Sequence, residues 1–203
     1  MKSFIIRLIS FVLGLSLISL GVSLTIKAEL GTGAWDALNV GLSKTIGLTV
    51  GSWVFIVGIV LIILNAILLR TRPDVLAVIT IFLAGVFIDS WLLLVFDQFN
   101  TSGLVQQIII FVVGMVIIAF GISVYLQAKF PLIPIDKLML AIQERLGVSM
   151  GVAKTIGELS ALVVAFLFSG PIGLGTLIVT FTIGPLVQLF APPVQKFQQR
   201  LQS

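Results

Sequence analysis

Residues 11–51 of this chain of 203 residues recur 100 positions later without a gap. Phe11, Val12, Gly14, Ile18, Gly21, Ser23, Ala28, Asp36, Leu38, Gly47 and Gly51 return as Phe111, Val112, Gly114, Ile118, Gly121, Ser123, Ala128, Asp136, Leu138, Gly147 and Gly151. Apolar runs match one another easily, so the weight falls on the glycines, the serine and the aspartate held at one offset. An internal repeat constrains architecture ahead of any local feature, because one core must accommodate the same unit twice.

The solvent for most of that core is lipid. With 59% hydrophobic and 10% charged residues the chain lacks the polar surface of a soluble globule, and its mean hydropathy is +1.24. Cysteine and histidine are both absent. Disulfides, thiol nucleophiles, histidine bases and the usual zinc and haem sites are thereby excluded, and no cofactor or metal is expected. The basic balance, pI 9.8, reports membrane orientation here rather than a nucleic-acid partner.

Six stretches have the roughly 17–25 residues that a bilayer crossing requires: Leu8–Ile26, Val50–Leu69, Val75–Phe96, Ile108–Leu126, Val148–Ser169 and Ile172–Phe190. They are continuous and lack the period-two alternation of a barrel strand, so the expected fold class is all-α, a polytopic membrane bundle. Six crossings put both termini and two connections on one side, with Lys2, Arg7, Arg70, Arg72, Lys129, Lys137, Arg145, Lys154, Lys196 and Arg200; Lys27 and Lys44 face the other. That asymmetry predicts cytoplasmic termini. The first span opens like a signal peptide, but Ile26 spoils the cleavage site and Gly21–Leu30 has an internal counterpart at Gly121–Phe130, so it is expected to be retained.

The expected organisation is one membrane domain over 1–203, with repeats at 1–100 and 101–203. Three crossings per repeat is an odd number, so the second copy is expected upside down relative to the first, as in many secondary transporters. Each copy also holds a segment too short to cross and too apolar for an ordinary loop, Gly31–Ile46 and Pro131–Leu146. Trp35, Leu38, Leu42 and Ile46, like Ile135, Leu138, Ile142 and Leu146, form one apolar face of a short helix that is either interfacial or re-entrant.

The candidate substrate- or ion-binding residues are Asp36, Asp136, Asp89, Lys154 and Glu158. Asp36 and Asp136 are the acids kept by the repeat, each in the first turn of its short helix. There a carboxylate either satisfies orphan amides and the helix dipole or faces a polar cavity and holds a proton, a sodium ion or a cationic group. Asp89 interrupts an apolar span, where a charge is costly unless it faces the bundle or reaches the interface beside Trp91. Lys154 and Glu158 are four residues apart on one helix face, placed either to pair with each other or to meet substrate. Asn65, Gln188, Thr80 and Thr180 read as interhelical hydrogen-bond glue, and the glycines as close-packing positions. Gly31-Thr32-Gly33-Ala34-Trp35-Asp36 follows no strand and lacks the spacing of a nucleotide loop. The tail from Pro192 to Ser203 reads as an amphipathic end resting on anionic lipid.

Gly31 to Lys44, continuing through Gly47-Leu48-Thr49-Val50-Gly51-Ser52-Trp53, together with Ile133-Pro134-Ile135-Asp136, resembles the bacterial YczE/YyaS/YitT group of integral membrane proteins. The resemblance implies an inner-membrane protein of about six helices and no assigned activity; it also implies a proline before the aromatic-Asp pair, where this chain has Ala34. On the residues themselves the leading expectation is a small secondary transporter or permease for an unidentified solute, proton or sodium ion, with the lipid bilayer as partner and homo-oligomers allowed. The alternative is a non-transporting scaffold that docks a partner. Catalysis is not expected, since no protease-like or phosphotransfer motif accompanies the acids.

Overall fold

The computed structural model describes residues 2–202, which contain helices and no strand. In chain order they are α1 (Lys2–Lys27), α2 (Ala34–Ile46), α3 (Val50–Leu69), α4 (Ala77–Asp89) running into a π-helical stretch at Ser90–Val95, α5 (Leu104–Gln127), α6 (Pro134–Leu146), α7 (Met150–Leu167) and α8 (Leu174–Gln202). Six of these are long and apolar enough to cross a membrane: α1, α3, α4 with its π continuation, α5, α7 and α8. The 13-residue helices α2 and α6 are too short to cross.

Elements 100 positions apart begin and break alike. α2 and α6 begin at Ala34 and Pro134, and α3 and α7 at Val50 and Met150. Ala34 opens α2 where the second copy uses a proline, because any residue tolerates the first helical turn while proline merely favours it. The breaks coincide too: Glu29 and Lys129 take φ of 59° and 53°, and Gly47 and Gly147 take 98° and 65°. Thr49 caps α3 by accepting from the amide of Ser52, and Ser149 caps α7 by accepting from that of Val152.

The last crossing of each copy carries a helix-perturbing feature near corresponding positions. In the first, the Phe96 amide donates to Trp91 O, which widens the turn. In the second, Pro192 and Pro193 lie inside α8. At 29 residues and about 1.5 Å each, α8 exceeds the hydrocarbon thickness of about 30 Å. The expected separate tail is therefore a continuation of α8, and its Val194 and Gln198 are buried.

The chain divides into two compact units that do not follow the sequence halves. The first comprises residues 1–33, 87–130 and 173–203. Its axis is α1 against α5: a Cβ on Gly21 would stand 2.6 Å from Gly114 O, and one on Gly121 would stand 2.8 Å from Ile18 N. Contact between early α1 and late α5, and between late α1 and early α5, makes the pair antiparallel. Since α5 is the repeat of α1, each glycine fills the role of its counterpart. Trp91 Nε1 donates to Ser16 O at 3.3 Å, and Ser123 Oγ to Val187 O at 3.4 Å, bringing the last crossing of each copy onto this pair.

The second unit comprises residues 34–86 and 131–172. Here α2 packs on α7 and α3 on α6, so each short helix lies against the middle crossing of the other copy. Ala37, Leu38, Leu42 and Ala165 form one core, and Ile62, Ala77 and Ile81 another. Asn65 Nδ2 donates to Pro134 O at 2.9 Å and Thr80 Oγ1 to Pro131 O at 3.4 Å, tying α3 and α4 to the entry of α6. Those two are the expected interhelical glue. Thr180 instead bonds Thr176 O within its own helix, and Gln188 is exposed.

Candidate functional site

Four of the five candidate residues fall in the second unit. Asp36 lies in the first turn of α2, Asp136 in the first turn of α6, and Lys154 and Glu158 one turn apart on α7, the helix against which both short helices pack. All four are half-buried. Glu158 is close enough for its charge to act on Asp36, and Lys154 for its charge to act on Asp136; Glu158 interacts with Lys154 and Asp136. Asp89 belongs to the first unit, at the start of the π-helical stretch, where it has a partner of its own.

Burial pushes the Asp36 carboxyl up to about 7, with the Glu158 charge adding to the rise. Burial also lifts Asp136 to about 6, and Lys154 draws it back down. Both carboxyls thus exchange protons near neutral pH, which an ordinary aspartate at 3.8 does not. Among the described residues no donor reaches Asp36 within hydrogen-bonding distance, so position in the first turn has not made it a side-chain cap. Nor does an ion pair within 4.0 Å join Lys154 to Glu158, whereas Lys137 Nζ and Asp74 Oδ2 pair at 2.9 Å. The bundle-locking pair allowed by their spacing is not formed.

Three buried polar atoms of the second unit meet no hydrogen-bond partner among the described residues: Trp35 Nε1, Asn39 Oδ1 and Asn65 Oδ1. Asn39, 4% exposed, stands one turn beyond Asp36 on α2. A buried unpaired polar atom costs about 1–3 kcal/mol, so these atoms mark a place where the fold leaves polar capacity unspent. The repeat gives no signal for Asn39, whose counterpart is Met139, and the spacing of Trp35 marks only an apolar face. No group of three or more described acids is arranged as metal ligands. The arrangement is therefore a field of three carboxylates and one ammonium, with net charge about −2 when all are ionised, suited to an ionic or zwitterionic solute and to protons.

A family model described as a family of unknown function, DUF6198, matches residues 5–192. The chain belongs to this family. It is 44% identical to the uncharacterised protein YyaS of Bacillus subtilis (strain 168) over 91% of its own length and 92% of that protein's. It is 32% identical to the uncharacterised membrane protein YczE of the same organism over 94% and 88% of the two chains. A Haemophilus influenzae protein is 27% identical over 87% of this chain and 79% of its own. No solved structure matches. The family and its six apolar helices make this an integral, multi-pass membrane protein.

Proposed function

We propose that the protein is a small secondary transporter or permease of the bacterial cytoplasmic membrane, with both termini cytoplasmic and its two repeats in opposite orientation. The observation that carries this reading is the meeting of Asp36, Asp136, Lys154 and Glu158 in one unit, on helices from both copies. Inverted repeats with short connecting helices and central charges are the recurring design of secondary transporters. The antiparallel packing of α1 on its own repeat, α5, supports the inversion.

In this reading a cationic group on the solute is neutralised by the carboxylates, and a carboxylate on the solute meets Lys154. Protons on Asp36 or Asp136 compete with the cationic group, because both carboxyls titrate near neutral pH. Binding at one face and release at the other then follow a proton gradient. No catalytic role is assigned to these residues.

The test is purified protein in liposomes with a pH dye inside and a panel of cationic and zwitterionic solutes outside. Solute-dependent proton movement, lost in Asp36→Asn, Asp136→Asn and Glu158→Gln, is the expected result. Absence of movement with every solute, together with a stoichiometric partner that copurifies from membranes, overturns it in favour of a docking scaffold.

A further inference from the structure

The first unit holds a cleft of 530 Å³. Its walls come from the start of α1 (Ile6, Leu13 and Leu17), the end of α5 (Phe120) and the end of α8 (Phe190 and Phe197), and they are almost wholly apolar. The polar exceptions, Ser10 and Gln198, are buried and hydrogen-bonded to each other, which closes that wall against water. A cleft of this size falls in the range that holds small ligands, and its lining offers nothing to a polar one.

The same end of the unit carries Arg7, Lys129, Lys196 and Arg200. No acidic residue occurs in 1–27, 104–130 or 173–203, the stretches that contribute the walls and their flanks. Arg7 is committed to structure: its guanidinium donates to Ala128 O at 2.7 Å and Lys129 O at 2.9 Å, and it lies 5.7 Å from the centre of the Phe130 ring. It closes the carbonyl end of α5, where a cation is favoured. Lys129 and Lys196 are exposed. An apolar slot at the end of the unit that carries the exposed Lys129 and Lys196 matches a molecule with an apolar tail and an anionic head.

We propose that this cleft is a site for an anionic phospholipid, one acyl chain lying between α1, α5 and α8 and the headgroup phosphate held by Lys129 and Lys196. Lipid filling any lipid-facing groove would not discriminate between headgroups; the basic rim makes this one selective, at about 1 kcal/mol, or fivefold, per basic residue. The inference does not rest on transport, since every group it uses lies in the first unit.

The experiment places the full chain in nanodiscs with phosphatidylglycerol or phosphatidylcholine bearing a photoactivatable diazirine in the acyl chain, and maps the labelled peptides by mass spectrometry. Phosphatidylglycerol is expected to label residues 6–17 and 190–201 at least tenfold above phosphatidylcholine. Lys129→Gln and Lys196→Gln should each lower that preference about fivefold and leave phosphatidylcholine labelling unchanged. Should the variants fail to fold, the wild-type preference must still fall as salt is raised from 50 to 500 mM. Equal labelling by the two lipids, a preference indifferent to salt and to the variants, or crosslinks showing a second copy of the chain in the cleft overturns the proposal.

Discussion

Asp36→Asn separates a carboxylate held for function from one held for stability. A carboxyl that titrates at about 7 in the folded protein and at 3.8 in the unfolded chain binds its proton more tightly when folded. Its contribution to stability is therefore complete at low pH, declines as pH rises between 3.8 and 7, and is a net burden above that window. At 1.36 kcal/mol per pKa unit the burden at pH 8 reaches about 4 kcal/mol, an upper figure because Asp36 is half-buried and water softens the penalty. Between pH 5 and pH 8 wild type should lose about 2–3 kcal/mol from this group. For a chain of this size that is about 5–10 °C in midpoint. The amide does not ionise, so Asp36→Asn should melt higher than wild type at pH 8, with a flatter pH profile, while losing solute-driven flux. Thermal unfolding in detergent from pH 5 to 8.5 measures this. A variant less stable than wild type at pH 8 would show that the carboxylate serves the helix terminus, and would refute the reasoning.

Glu158→Gln removes a charge that helps raise Asp36, so the pH at which wild-type stability levels off should move below 7 in the same assay, though only partly, since burial is the larger cause. Gly21→Ala should destabilise the α1–α5 pair by about 1–3 kcal/mol, because its Cβ would stand 2.6 Å from Gly114 O; Gly157→Ala, with nothing within 4 Å, should be neutral or slightly stabilising, and thermal midpoints compare the two. Thr49→Ala and Ser149→Ala each remove a side-chain cap and should each cost about 1 kcal/mol, read from the same midpoints.

Much of the fold is legible in the chain because membrane helices leave long apolar runs and glycine or proline breaks. Val50–Leu69 is found with the bounds expected, and Ile46 and Leu146 end both short helices where expected. The ends that shift do so where contacts distant in sequence intervene. α8 runs through Pro192 and Pro193, beyond which Gln198 bonds Ser10 of α1 and Val194 is buried, so long-range packing overrides the proline signal. The π-helical stretch at Ser90–Val95, from which Trp91 reaches Ser16, has no signature in composition.

At the site, the repeat picked out Asp36 and Asp136, and spacing picked out Lys154 with Glu158. It could not place Asp89 in a different unit, since that follows from which helices share a core. Nor could it single out Asn39, whose importance comes from an amide oxygen left unpaired. The units themselves mix the two halves, an outcome of α2 crossing to α7 and α6 to α3 that no local pattern announces.

The opposed orientation of the two copies is the claim on which the transport reading depends most. The chain has no cysteine, and Ile46 and Leu146, the last residues of α2 and α6, are 58% and 60% exposed, so single cysteines there can be probed in intact cells with a membrane-impermeant maleimide. Ile46→Cys should label without permeabilisation, and Leu146→Cys only after it. Labelling of both from the same side would place the copies in parallel and contradict the account.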